Sequence, residues 1–379
     1  MKINLVKRWA EKDSLWVVLL WLFFQAIWYI KFGARFDLEA GKYIFQADYL
    51  LEHHDLSETR FLFYFTTTAV IAFSKLIGAG LYGALAMIML INLSCYLAFF
   101  KGLQKLFQNR LAPFLVVGFL LYFWPYQSWS FYLYTECLFY SLVLLLFAHL
   151  IRFRQLDVRF VFKLVVLLLL VVASRPLGIL FILPALLFVF LKLNKRQRIV
   201  AGVAALLALV ALNFVVQVVF TTTSDWSMKR ALTENSIICD MPRATTNDKL
   251  DLSQHPNQLY QLFHFVTHNF SHFAGLALIR LRYFFVMTRS YYSTLHNLYL
   301  LVHLAALYGI ILIGIRMLVR TFPPALLLFI GSSVLLFAAA IALQCDDYHN
   351  RFALTLTPLY ITLAVWVLLP VLRKFRFLK

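Results

Sequence analysis

Acidic residues are scarce in this chain. Of 379 residues only 17 are Asp or Glu, all charged types together make up 14%, and there are 4 cysteines and 10 prolines. A charged share so far below the roughly one quarter usual for soluble globules excludes that class. With 62% hydrophobic content and a mean hydropathy of +0.79, the composition is that of a polytopic membrane protein. There is no HExxH or CxxC motif, no glycine-rich phosphate loop, no internal repeat and no low-complexity linker. These absences point to one integrated domain over 1–379.

The basic N-terminus, MKINLVKRWAEKDSLW, runs into an apolar stretch at 16–30 with no small-residue cleavage site after it. It reads as an uncleaved first span. Apolar runs about twenty residues long recur near 81–100, 112–127, 133–151, 163–180, 177–192, 199–219, 297–315, 324–343 and 353–371. The expected fold is therefore all-α, with about ten membrane-spanning helices. The run 61–77 is short and carries Lys75, so it either crosses or lies along the interface.

Lys and Arg concentrate in short cytoplasmic connections, which decides between these two readings. If 61–77 does not cross, the basic clusters 2–12, 101–110, 152–163, 192–198, 316–320 and 373–379 all fall on one side with both termini. Only Glu11, Asp13 and Asp157 accompany them, so this side carries the whole net charge of +18. The basicity then reflects membrane orientation and gives no support for a nucleic-acid partner. Cys95 and Cys137 fall in or near spans. Cys239 and Cys345 lie outside, where a disulfide is permitted but not dictated.

The non-cytoplasmic segments are 32–80, 123–136, 221–296 and 344–352. The first begins with RFDLEAGKY (35–43), continues as an amphipathic helix through Tyr43, Ala47 and Leu50, and then passes HHDLSETR, where Asp55 and Glu58 have capping-box spacing. The second, FWPYQSWSFYLYTE, is aromatic and ends at Glu136. The third closes on a stretch whose Arg280, Arg282 and Arg289 argue for a helix lying at the interface. On this face collect Asp37, Glu39, Arg60, Glu136, Arg175, Arg280, Arg282, Arg289, Asp346, Asp347, His349 and Arg351. Carboxylates with guanidiniums at a membrane surface suit a reaction between a hydroxyl acceptor and an anionic, lipid-linked donor.

The order Asp37, Tyr43, Ala47 after the first span, then a helix ending KLIG (75–78), resembles the first outer loop of GT-C glycosyltransferases. YTECLF (134–139), SRPLGILFILPALL (174–187) and YHNRFALTLTPLY (348–360) follow in the order of that superfamily, which includes protein O-mannosyltransferases and lipid A aminoarabinose transferases. Tyr43 lies six residues beyond Asp37 rather than four. The resemblance implies a GT-C-like fold, with Asp37 as general base and Glu39 as the substitute. The bland alternatives are a helix N-cap for Asp37 and a solvated helix face for Glu39.

Arg351 is the first choice for the donor phosphate, against an ion pair with Asp346 or Asp347, and Tyr348 and His349 flank it. Arg280, Arg282 and Arg289 bind either the phosphate or lipid headgroups, and Arg175 lines the cavity or snorkels. Glu136 caps its span or contacts sugar hydroxyls. The resemblance implies a polyprenyl-phosphate-sugar donor, a glycan, lipid or protein hydroxyl acceptor, and a bacterial inner membrane with the site facing the periplasm or exterior. It fixes no cofactor: a divalent metal is left open, and some relatives work without one. His268 and His272 have the i, i+4 spacing that shares one helix face, with no acidic ligand partner evident, so no metal ligand is assigned. The rival readings are a lipid-linked saccharide flippase or exporter, and an O-antigen polymerase or ligase.

Overall fold

The computed structural model describes residues 2–199, 232–239, 250–346 and 348–373. The expected run 199–219 therefore lies almost wholly outside the described residues. Helices supply the regular structure and no β-strand occurs among the described residues, where extended pairing is limited to two isolated bridges. In chain order the helices are α1 (Lys2–Phe32), α2 (Ala40–His53), α3 (Phe65–Leu76), α4 (Gly80–Phe107), α5 (Leu111–Tyr122), the single turn α6 (Trp124–Gln127), α7 (Glu136–Ile151), α8 (Val158–Val172) and α9 (Ile182–Lys192). There follow α10 (Gln258–His268), α11 (Phe270–Val286), α12 (Thr294–Ile313), α13 (Ile315–Thr321), α14 (Pro324–Leu343), the short turn α15 (Arg351–Leu354) and α16 (Thr357–Leu372).

Among the described residues four helices are long and apolar enough to cross a membrane: Lys12–Phe32 of α1, α4, α12 and α14. Shorter apolar helices are α5, α7, Pro176–Lys192 and α16. Several expected twenty-residue runs are thus interrupted, and prolines lie at the breaks. The run 112–127 breaks at Phe123, whose non-helical backbone precedes a turn with Pro125 near its start. Arg175 is extended before Pro176, which separates α8 from the 3-10 turn Pro176–Phe181. Gly178 is required in that turn, because a Cβ there would lie 2.3 Å from the carbonyl oxygen of Val171.

The residues group into two compact units, one within Met1–Ile182, Leu307–Leu327 and Thr357–Lys379, the other within Leu183–Ala306 and Leu328–Leu356. In the first, α1 is inverted relative to a soluble helix. Asp13 and Gln25 are buried while Leu15, Trp16, Leu19, Leu22 and Phe23 are exposed, which is stable only where the surroundings are apolar. Buried side-chain hydrogen bonds tie α1 to its neighbours. Trp21 donates to Asn92 (2.8 Å), Asn92 to Ser141 (2.9 Å), Gln25 to Gln127 (2.9 Å), Gln127 to the Tyr96 hydroxyl (2.8 Å) and Trp28 to the Leu121 carbonyl (2.8 Å).

The two ends of this unit differ in charge. At one, Arg110 pairs with Asp13 (2.7 Å) and Lys105 donates to the Arg152 carbonyl (3.1 Å), gathering the basic residues. The other end carries α2 and α3. The buried face of α2 is Ala40, Tyr43, Gln46 and Ala47, whose small alanines admit α3 closely. At its 12 residues α3 is about 18 Å long, well short of a ~30 Å hydrocarbon core. Gly78 and Gly80, both with positive φ, reverse the chain into α4. The capping box expected at Asp55 and Glu58 does not form. Asp55 accepts instead from the adjacent Leu56 N–H (2.7 Å), and Glu58 pairs with Arg60 (2.9 Å).

Candidate functional site

Beyond α1 the chain turns at Gly33 (φ +66°) and runs antiparallel to no strand; it makes a single parallel bridge between Arg35 and Tyr132. The Arg35 N–H donates to the Phe131 carbonyl (3.0 Å), and the Leu133 N–H to the Arg35 carbonyl (2.9 Å). This joins the first and second outer segments immediately before Asp37. Leu38 adopts the left-handed conformation (φ +53°), and the Ala40 N–H closes a turn on the Asp37 carbonyl (3.1 Å). Asp37 therefore sits on a fixed backbone with its carboxylate outward, its side chain 59% exposed and 3.9 Å from Arg35.

Glu39, not Asp37, occupies the N-cap position of α2, and it makes no side-chain cap hydrogen bond. Its carboxylate accepts from the Tyr43 hydroxyl one turn later (3.0 Å), so it is half-buried rather than solvated. Tyr43 is buried, and its pKa is pushed well above the ordinary tyrosine value. Burial is the main cause, followed by the negative charges of Glu39 and Glu136, with Arg175 opposing.

Glu136 is the first residue of α7 and is 0% exposed. It accepts from Nη1 of Arg175, which the extended backbone before Pro176 delivers. The helix N-terminus favours a carboxylate at this place. Two sequence-predicted residues far apart in the chain are thus partners of one another. Their charges act on Tyr43, which in the sequence marks the amphipathic helix and the motif spacing but no site. The signal for Tyr43 was visible in its i, i+4 spacing from Glu39.

The second unit holds the arginines of the third outer segment. Arg280, fully buried, donates Nε and Nη2 to the Ser236 carbonyl (2.8 and 2.6 Å) and Nη1 to the Ala342 carbonyl (2.9 Å). Burial lowers its pKa to about 10, which leaves it charged at neutral pH. These three donors reach backbone carbonyls within the protein and brace the segment internally. Arg289 is also buried. It pairs with the fully buried Asp346 (2.6 Å), and its guanidinium lies 5.2 Å from the Tyr283 ring centroid. Asp346, one of the two partners considered for Arg351, is thus also the partner of Arg289, and Asp347 lies outside the described residues.

A cavity of about 380 Å³ is lined by Arg282, Tyr283, Thr288, Arg289, Ser290 and Asn297. Exposed Arg282 makes this lining cationic, since Arg289 is balanced by Asp346. A disulfide joins Cys239 to Cys345, with Cα atoms 5.0 Å apart. It is flanked by the bridge between Ile238 and Asp346, in which the Asp346 N–H donates to the Ile237 carbonyl (2.8 Å) and the Cys239 N–H to the Asp346 carbonyl (2.8 Å). Tyr348 stacks on Tyr291 at 4.3 Å and accepts a hydrogen bond from its hydroxyl through its carbonyl. His349 is exposed, and Arg351 begins α15 half-buried.

No protein-family model matches the chain, and no curated protein or solved structure matches it either. The functional reading therefore rests on the residues and their geometry.

Proposed function

We propose that the chain is an inverting glycosyltransferase of the GT-C kind, moving a sugar from a polyprenyl-phosphate-linked donor to a hydroxyl acceptor on the non-cytoplasmic side of a bacterial inner membrane. The observation that carries this reading is Asp37, an exposed carboxylate on a braced turn at the end of the first unit opposite its basic end. Asp37 takes the proton of the acceptor hydroxyl. The oxygen attacks the anomeric carbon as the bond from that carbon to the phosphate oxygen breaks, and the polyprenyl phosphate departs as an anion. Glu39 is already engaged by Tyr43 and is the weaker candidate for base.

A departing phosphate requires cationic donors, and Arg282, exposed and not matched by the Arg289–Asp346 pair, is one such group of the second unit. Arg351 remains assigned to the same task. On this reading the shorter apolar helices also cross, their lengths completed by non-helical turns, to give about ten spans with α2 and α3 at the interface. The Cys239–Cys345 disulfide supports an oxidising compartment for this face.

The test is transfer from a synthetic polyprenyl-phosphate sugar by the purified chain in detergent, with Asp37→Asn beside Glu39→Gln. The Asn variant is expected to lose about 10²- to 10⁴-fold in turnover while keeping its thermal stability. Full turnover by an intact Asp37→Asn protein removes the base assignment.

A further inference from the structure

Asp251, His264 and His268 meet on the surface of the second unit, and none of them is assigned a part in the transfer reaction. One ligand-capable atom from each lies within 4.8 Å of the others. We propose that these three side chains bind a divalent transition-metal cation of the zinc class.

His264 and His268, four residues apart on α10, stack with ring centroids 3.9 Å apart and planes inclined by 8°. An imidazole nitrogen offers its lone pair in the ring plane, so one ring turns out of the stack for both to meet one cation. Nδ1 of His268 lies 3.0 Å from the His264 carbonyl. The Thr267 hydroxyl lies at 3.0 Å from the same nitrogen; in the tautomer whose Nδ1–H donates to the carbonyl, the Nε2 lone pair is left for a metal, the arrangement usual for metal-bound imidazole. Nδ1 of His264 is buried and has no hydrogen-bond partner among the described residues.

Asp251 is held in place by its backbone. Its N–H donates to the Asn269 side-chain oxygen (2.9 Å), and the Asn269 amide donates back to the Asp251 carbonyl (2.9 Å). Asn269 directly follows α10, so the carboxylate is fixed relative to the helix that carries both imidazoles. A tetrahedral metal with bonds of ~2.1 Å holds its ligands about 3.4 Å apart, and closure to that spacing falls to rotations of the exposed Asp251 and His268 side chains about the half-buried His264. Two imidazoles and one carboxylate favour zinc and its neighbours over calcium or magnesium, which prefer all-oxygen sets. Water completes the fourth position.

His272, the partner that spacing alone suggested for His268, is turned elsewhere. Its Nε2 lies 3.3 Å from the Leu232 carbonyl and its ring packs edge-on against Phe265. It is therefore the internal control. The proposal is independent of the transfer reaction.

The experiment is titration of the purified full-length chain, freed of any affinity tag and stripped with chelator, with Co²⁺ followed by visible absorption and then displaced with Zn²⁺. The expected result is one equivalent of four-coordinate Co²⁺ per chain, displaced by one Zn²⁺. Asp251→Asn, His264→Ala and His268→Ala each weaken binding by at least about 10- to 100-fold, and His272→Ala leaves it unchanged. Each variant is first matched to the parent in metal-free melting temperature, and the exposed His268→Ala remains informative if His264→Ala does not fold. Absence of a stoichiometric site in the parent, or unaltered affinity in Asp251→Asn and His268→Ala, overturns the proposal.

Discussion

Glu136 and Arg175 are 39 residues apart in the chain and form an ion pair whose carboxylate is fully buried at the first turn of α7. The pair joins the start of that helix to the segment after α8. Tyr43 feels both charges. A buried pair of this kind is weak evidence for stability as a whole, but removing one member strands the other.

Glu136→Gln and Arg175→Gln are accordingly expected to destabilise the protein by roughly 3–5 kcal/mol each. The double substitution should cost less than the sum of the two. Thermal unfolding of all four proteins in detergent closes the double-mutant cycle. Simple additivity would show that the two charges do not interact in solution.

The Cys239–Cys345 disulfide flanks Asp346, the partner of Arg289. Reduction, or Cys345→Ser, should lower stability by about 2–4 kcal/mol. Thiol labelling of the denatured, unreduced protein should modify only Cys95 and Cys137, the described free cysteines. Four labelled cysteines without reductant would mean that the disulfide is not formed.

Tyr43 gives a pH dependence with a definite sign. Its folded pKa is raised above the unfolded value of about 10, so the folded state favours the neutral phenol. The associated stability is fully present below pH ~10 and is lost as the pH rises toward the folded pKa. Tyr43→Phe should therefore flatten the alkaline decline in melting temperature. Parallel curves for parent and variant between pH 9 and 11 would contradict this.

Ala79 lies in the exposed turn between α3 and α4. With α3 too short to cross, a cysteine placed there in a Cys95→Ser and Cys137→Ser background should react with a membrane-impermeant maleimide from the non-cytoplasmic side. Labelling from the cytoplasmic side alone would require the segment 61–77 to cross.

Much of the architecture was legible because hydropathy is a one-dimensional property. The long apolar helices α1, α4, α12 and α14 coincide closely with uninterrupted apolar runs, and α2 follows the spacing of Tyr43, Ala47 and Leu50. Where the structure departs from the runs, the cause is local backbone chemistry at Phe123–Pro125 and Arg175–Pro176. The candidate base was legible too, since Asp37 follows the first span directly. Its exposure was not, because it depends on the bridge from Arg35 to Tyr132.

The sequence by itself determined a protein whose described residues are helical, with several helices long and apolar enough to cross a membrane, since hydropathy is read along the chain. Tertiary structure decided which charges are buried in pairs and which stay exposed. Burial and partner choice arise between segments distant in sequence: Arg175 meets Glu136, Arg289 meets Asp346, Arg280 turns to carbonyls, and His268 finds His264 and Asp251 rather than His272. Spacing can propose such partners only within one helix. The energetic requirement that every buried charge be met is satisfied in three dimensions.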